Sequence, residues 1–163
     1  MSFMDYQYMN PEFLNNYLKY QRYIEFYAQS TVDEAYYDLR TYFRFIKLKI
    51  TDDLDINTIT VEEFKLIQIK DIILDDICTT NAQTIEEFIY FLRYTLENDA
   101  KTRNRKLSSI KRFYEYLSNN NMISYNPTLN IKSAKIGKKQ PKYLNLDESK
   151  KLLSQTINSN QRF

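Results

Sequence analysis

The side chains best placed to do chemistry lie in one stretch, Ala100 to Leu117, AKTRNRKLSSIKRFYEYL. With Thr102 as its cap, the stretch reads as a helix of about four turns with two faces. Leu107, Ile110, Tyr114 and Leu117 recur three and four apart and form a stripe for burial. Opposite them, within roughly a third of the circumference at about 100° per residue, lie Lys101, Arg105, Ser108, Ser109 and Arg112. Thr102 and Lys106 border that face. Arginine and lysine can meet phosphates or the edges of guanines, and short serines let a backbone come close. The chemistry on offer is therefore recognition of duplex DNA. The plain alternative for the same face is a solvated helix surface.

The rest of the inventory excludes much else. The chain has no histidine and one cysteine, Cys78, so zinc coordination and a Cys/His nucleophile are ruled out. Cys78 follows Ile77 in a partly apolar run and reads as a small core residue. There is no glycine-rich phosphate loop. The run Asp53–Asn57 resembles the start of a calcium loop, but Thr58 and Phe64 stand where that loop needs Gly and Glu, so it reads as a solvated acidic loop. The fifteen tyrosines fall mostly on apolar stripes and read as packing. No cofactor, metal or small-molecule substrate is called for, and no active site is specified.

Charge is distributed unevenly. Residues 1–100 hold nine Lys and Arg against eighteen Asp and Glu, net −9, and residues 101–163 hold fourteen against three, net +11. A basic end of that size points to a polyanionic partner, with nucleic acid first and an acidic protein or membrane surface after it. No run approaches the roughly 18–20 apolar residues of a membrane span. The first residues lack a secretory signal, and a lone cysteine suits a reducing cytoplasm.

One Gly and three Pro in 163 residues leave little material for hairpins, so the class is all-α. Pro11 opens a first helix reaching about Ala28. Ser30-Thr31 caps a second, whose stripe is Val32, Ala35, Tyr36, Leu39, Phe43 and Ile46. Its other side offers Tyr37, Thr41 and Arg44, flanked by Arg40 and Lys47. Thr60 with Glu63 caps a short helix over about Val61–Ile67, and Thr84 with Glu87 caps one from Ile85 to about Asn98. The basic helix frays at Asn119–Asn121. Three parts follow: a helical domain over 1–124, an extended basic linker over 125–144 and a first helix of a further domain over 145–163. Lys135, Lys138, Lys139 and Lys142 lie in the linker and suit a DNA backbone.

This succession of elements resembles the N-terminal, SAM-like core-binding domain of the tyrosine recombinase or phage integrase family, in its Xer-type branch. The matching residues are Ser30-Thr31, Tyr37-Asp38-Leu39-Arg40 and Phe43, then AKTRNRKLSSI from Ala100 to Ile110, with Phe113, Tyr114 and Leu117. Asn126-Pro127, Pro141-Lys142-Tyr143-Leu144 and Asp147-Glu148 complete them, so the likeness spans about Asn10 to Ser154. It departs at Ala35, where the family usually places Tyr, and in residues 51–80, which run longer. The resemblance implies a four- to five-helix bundle that clamps duplex DNA through its second and fourth long helices. In the full-length family, further protomers join in a synaptic complex within a bacterial or phage-borne, cytoplasmic setting. Catalysis in the family belongs to a C-terminal domain with arginines, a lysine, histidines and a tyrosine nucleophile. This chain is expected to end ahead of them, so no tyrosine here is expected to be the nucleophile. The rival readings are a helical interaction domain with a basic tail for an acidic partner, and a small non-enzymatic DNA-binding regulator.

Overall fold

The computed structural model describes residues 2–51 and 55–135. These residues form an all-helical bundle. A 3-10 helix, Phe3–Met9, precedes α1, Glu12–Tyr23, and α2, Gln29–Ile50; then come α3, Val61–Leu66, α4, Leu74–Cys78, α5, Ala82–Tyr94, and α6, Ala100–Asn119. Among the described residues there are no strands.

The long helices form because their apolar residues fall on single stripes. Val32, Ala35, Tyr36, Leu39, Phe43 and Ile46 of α2 are all buried, as are Leu107, Ile110, Tyr114 and Leu117 of α6. The departure at Ala35 is accommodated, since Ala35 and its neighbour Tyr36 both point inward. Aromatic rings dominate the core: Phe43 meets Phe113 edge-on at 5.4 Å, and Phe45 and Phe88 lie 5.2 Å apart. Where α2 crosses α6, the hydroxyls of Tyr42 and Tyr114 sit 2.9 Å apart in the interior, which satisfies two groups that burial would otherwise penalise. Burial pushes both phenols up, Tyr114 to about 12.

Several boundaries differ from the sequence reading. The first helix stops at Tyr23 rather than Ala28, and Pro11 stands at its N-cap. Phe26 takes φ 58, and the Tyr27 N–H turns back to the Gln21 carbonyl. Glu97 (φ 52) and Asn121 (φ 54) end α5 and α6 in the same left-handed way. Glycine favours that conformation, and none of the three ends has one; only the asparagine run Asn119–Asn121 announced a stop, that of α6.

Three of the four predicted threonine caps are corrected. The second helix begins at Gln29 with Ala28 at its cap, which puts Thr31 inside the first turn. The cap of α6 is Asp99, whose carboxylate accepts from the Thr102 N–H at 2.7 Å; a carboxylate at that end also suits the helix dipole. Likewise Asn81, not Thr84, caps α5, and Glu87 instead pairs with Lys49. The Thr60–Glu63 box is present, with Glu63 N to Thr60 Oγ1 at 3.2 Å and Thr60 N to Glu63 Oε2 at 2.9 Å. Cys78 is exposed, because Ile77 takes the inward position one residue earlier.

Candidate nucleic-acid interface

The basic residues of α6 are organised by a residue the sequence reading left unassigned. Asp38 of α2 is wholly buried. Its Oδ2 accepts from Arg105 Nη1 and from Ser109 Oγ, each at 2.9 Å, and its Oδ1 accepts from Lys106 Nζ at 3.0 Å. Lys106 also reaches Thr41 Oγ1 at 3.4 Å. A buried carboxylate is costly unless paired and hydrogen-bonded, and here three donors from one helix converge on it. The result locks α2 to α6 in one register.

Arg105 is the member of this cluster that reaches the surface. Its side chain is 37% exposed, and the same Nη1 lies 3.0 Å from Glu34 Oε1, a carboxylate on the solvent side. Lys106 has its side chain 11% exposed and is committed inward. Ser109 is half-buried, while Lys101, Ser108 and Arg112 are exposed. Ser108 donates to the Asn104 carbonyl at 2.9 Å, and the Arg112 guanidinium lies 5.8 Å from the Tyr27 ring centroid. Thr102 is half-buried behind its capping bond. Lys101, Arg105, Ser108 and Arg112 thus share one narrow arc of α6.

The second helix behaves differently. Tyr37, Arg40, Thr41, Arg44 and Lys47, like Thr31, are partly exposed, and most are engaged within the molecule. Thr41 Oγ1 donates to the Tyr37 carbonyl at 2.9 Å, and Lys47 pairs with Asp71. Arg40 lies over the rings of Tyr36 and Tyr37, 5.2 and 5.0 Å from their centroids. Arg44 Nε donates to the Ile67 carbonyl at 3.1 Å. Its half-burial, together with the like charge of Arg40, lowers its pKa to about 10.

The start of the predicted linker is tied to α6. Asn104 Nδ2 donates to the Ala134 carbonyl at 2.8 Å, and the Ala134 N–H returns to Asn104 Oδ1 at 2.9 Å. Lys111 donates to the Ile131 carbonyl, and Ile131 and Thr128 are buried. Asn104 sits three residues after Lys101 and four before Ser108, so this contact brings exposed Lys135 beside the same flank. Lys138, Lys139 and Lys142, and the helix expected over 145–163, lie outside the described residues.

The sequence reading missed Asp38, Glu34 and Asn104. The available signal was an acid at position 38, between the buried positions Ala35, Leu39 and Tyr42. An ionised group on such a stripe needs a partner, and the basic face of α6 supplies it.

The described residues thus form an all-helical bundle with a basic face on α6. Comparison with known proteins makes this specific. The chain is 32% identical over 148 residues to the tyrosine recombinase XerC of Caldanaerobacter subterraneus subsp. tengcongensis, covering 88% of this chain and 40% of that protein. It is 26% identical over 160 residues to the tyrosine recombinase XerC of Leptospira interrogans, covering 91% of this chain and 43% of that protein. To the tyrosine recombinase XerD of Rickettsia conorii it is 35% identical over 79 residues, covering 47% and 26%. The chain belongs to the tyrosine recombinase family, and it spans about two fifths of the length of the XerC relatives it matches. No family model and no solved structure matches it. No helix among the described residues is long and apolar enough to cross a membrane.

Proposed function

We propose that this chain is the duplex-DNA-binding part of a site-specific tyrosine recombinase. The clamp has two sides: α6 supplies Lys101, Arg105, Ser108 and Arg112, and α2 supplies Tyr37 and Thr41 from the adjoining ridge. The observation that carries this reading is the shared arc of Lys101, Arg105, Ser108 and Arg112, one of which is aimed by the buried Asp38 carboxylate. An oriented guanidinium loses less conformational freedom on meeting a phosphate than a free one does. The linker lysines, beginning with Lys135, would follow the DNA backbone from the same flank. Strand breakage and rejoining, and assembly with further protomers, would be activities of the full-length recombinase in a bacterial or phage-encoded cytoplasmic setting. This part itself would bind without catalysis.

Fluorescence anisotropy of a labelled duplex of about three helical turns, titrated over a salt series, tests the reading. The expected result is binding whose log–log salt slope corresponds to several phosphates at about 0.9 each. Absence of binding at low salt would overturn it and move the basic flank to an acidic protein partner.

A further inference from the structure

The chain that leaves α6 turns back and lies along it. Asn126 Oδ1 accepts from the Thr128 N–H at 2.9 Å and from Thr128 Oγ1 at 2.8 Å, and Pro127, Thr128 and Ile131 are buried. Beyond that turn two α6 side chains hold the backbone, Lys111 at the Ile131 carbonyl and Asn104 at Ala134. Asn104 and Lys111 are two turns apart, about 10.5 Å along a helix at 1.5 Å per residue. The step from Ile131 to Ala134 covers about 10 Å of extended chain at 3.4 Å per residue. The two lengths match, so this segment runs extended and antiparallel to α6, towards the start of the helix.

Asn104 grips one residue of that segment by both backbone groups. Its Nδ2 donates to the Ala134 carbonyl at 2.8 Å, and its Oδ1 accepts from the Ala134 N–H at 2.9 Å. An extended residue turns its N–H and C=O to the same side, and a carboxamide presents a donor and an acceptor together. The side chain thus pairs with Ala134 as a neighbouring strand would. Reversing the amide would set donor against donor and acceptor against acceptor, which fixes its orientation.

At about 100° per residue, Asn104 and Lys111 lie roughly a quarter-turn from the centre of the arc of Lys101, Arg105, Ser108 and Arg112. Ser109, which meets Asp38 of α2, lies about as far round on the other side. The basic arc is therefore bordered by α2 on one flank and by the seated segment on the other. Exposed Lys132 and Lys135 belong to that second border.

We propose that Asn104 is a positioning residue: it touches no DNA, and it holds Ala134 so that Lys135 stands beside the arc and meets the same duplex. This role rests on the DNA-binding reading above and adds the residue through which linker and helix act as one surface. A loose linker would spread Lys135 over many positions, whereas a seated one presents it with less freedom left to lose on binding.

Hydrogen exchange at the Ala134 amide, followed by NMR on the free full chain, reads the seating without DNA. Asn104→Ala should speed it roughly fivefold. Asn104→Leu, close to asparagine in shape but lacking both polar groups, should do the same, and urea melts show which variants are folded. Either folded variant decides. A salt series of duplex titrations then reads the consequence. Lys135→Ala should lower the log–log slope by about 0.9 in the wild type and by almost nothing in the Asn104 variants, whose slope is already lower by at least that much. Unchanged Ala134 exchange, a wild-type slope in the Asn104 variants, or an equal loss from Lys135→Ala in both backgrounds would each overturn this role alone. A wild-type chain that binds no duplex would overturn the DNA-binding reading and this role with it.

Discussion

Asp38 and Arg105 meet at 2.9 Å across the seam between α2 and α6, with one side chain wholly buried and the other about a third exposed. The pair joins two roles that are usually separate. Asp38 holds the bundle's register, and the same contact aims a guanidinium at the surface. Lys106 and Ser109 complete the shell of the carboxylate, so losing Arg105 leaves Asp38 paired, whereas losing Asp38 strands Lys106.

The first prediction follows from that asymmetry. Among the described residues Asp38 is the only carboxylate that Lys106 touches, so Asp38→Ala leaves a nearly buried ammonium without that counter-ion. Breaking such a pair costs about 3–5 kcal/mol. Asp38→Asn keeps an acceptor oxygen and should fall between the variant and the wild type. Urea denaturation, read as a shift in midpoint at constant slope, measures both. A loss below about 1 kcal/mol in Asp38→Ala would show that the cluster does not hold the seam.

Glu34 bears on affinity rather than stability. It occupies the solvent side of Arg105 at 3.0 Å, where a DNA phosphate would stand, and it is 57% exposed. An exposed pair of this kind contributes about 0.2–1 kcal/mol, so Glu34→Gln should leave the fold intact and tighten DNA binding roughly two- to fivefold at low salt. In an Arg105→Ala background the same change should gain much less. Equal gains in both backgrounds would mean a general charge effect and would remove Arg105 from the phosphate's path.

Much of this fold was legible because helices with three- and four-residue apolar spacing declare themselves, and every residue expected on the α2 and α6 stripes is buried. Most helix ends were not, although α6 does stop at the expected Asn119–Asn121 run. Phe26 and Glu97 turn the chain through a conformation associated with glycine, so α1 and α5 read as longer than they are. Caps were misassigned where a serine or threonine stood within one turn of the true start, as Thr102 stands after Asp99. Asp38 lies within the family-like run Tyr37-Asp38-Leu39-Arg40, where nothing in the sequence tells its role. Its partners are far away in sequence, and pairing between two helices is not encoded in the periodicity of either. The face of α6 was foreseen as a set of residues; that Arg105 and Ser109 are drawn together by one carboxylate emerged only from the packing.

Acid should expose the capping of α6. The Asp99 carboxyl is held below its usual range by the backbone N–H of Thr102 and then by the Thr102 side chain. A depressed folded-state pKa means that the unfolded chain binds the proton first. The contribution is therefore full above the unfolded value, about 4, and lost as pH falls through the lower folded one. Glu63, Asp71 and Glu87 are lowered as well and titrate in the same window. Asp99→Asn keeps the capping oxygen and removes the titration. Its thermal midpoint should fall less steeply than the wild type's below about pH 4. Parallel curves would show that the Asp99 cap carries no acid sensitivity.

The last prediction separates α6 residues that face a polyanion from those that serve the core. Arg112 is exposed, and Arg105 is reachable beside a carboxylate that keeps other partners. Arg105→Ala with Arg112→Ala should therefore leave a folded protein whose log–log salt slope for duplex binding is smaller by up to about 1.8, at roughly 0.9 per phosphate contact. Lys106→Ala should do the reverse. Its ammonium points at Asp38 inside the seam, so its loss should lower the urea midpoint and leave the salt slope of the folded protein unchanged. Anisotropy titrations at several salt concentrations, each paired with a urea melt, separate the two effects. A double arginine variant with the wild-type slope would take this helix out of the interface, and a Lys106→Ala variant with a reduced slope would put a buried lysine on the DNA.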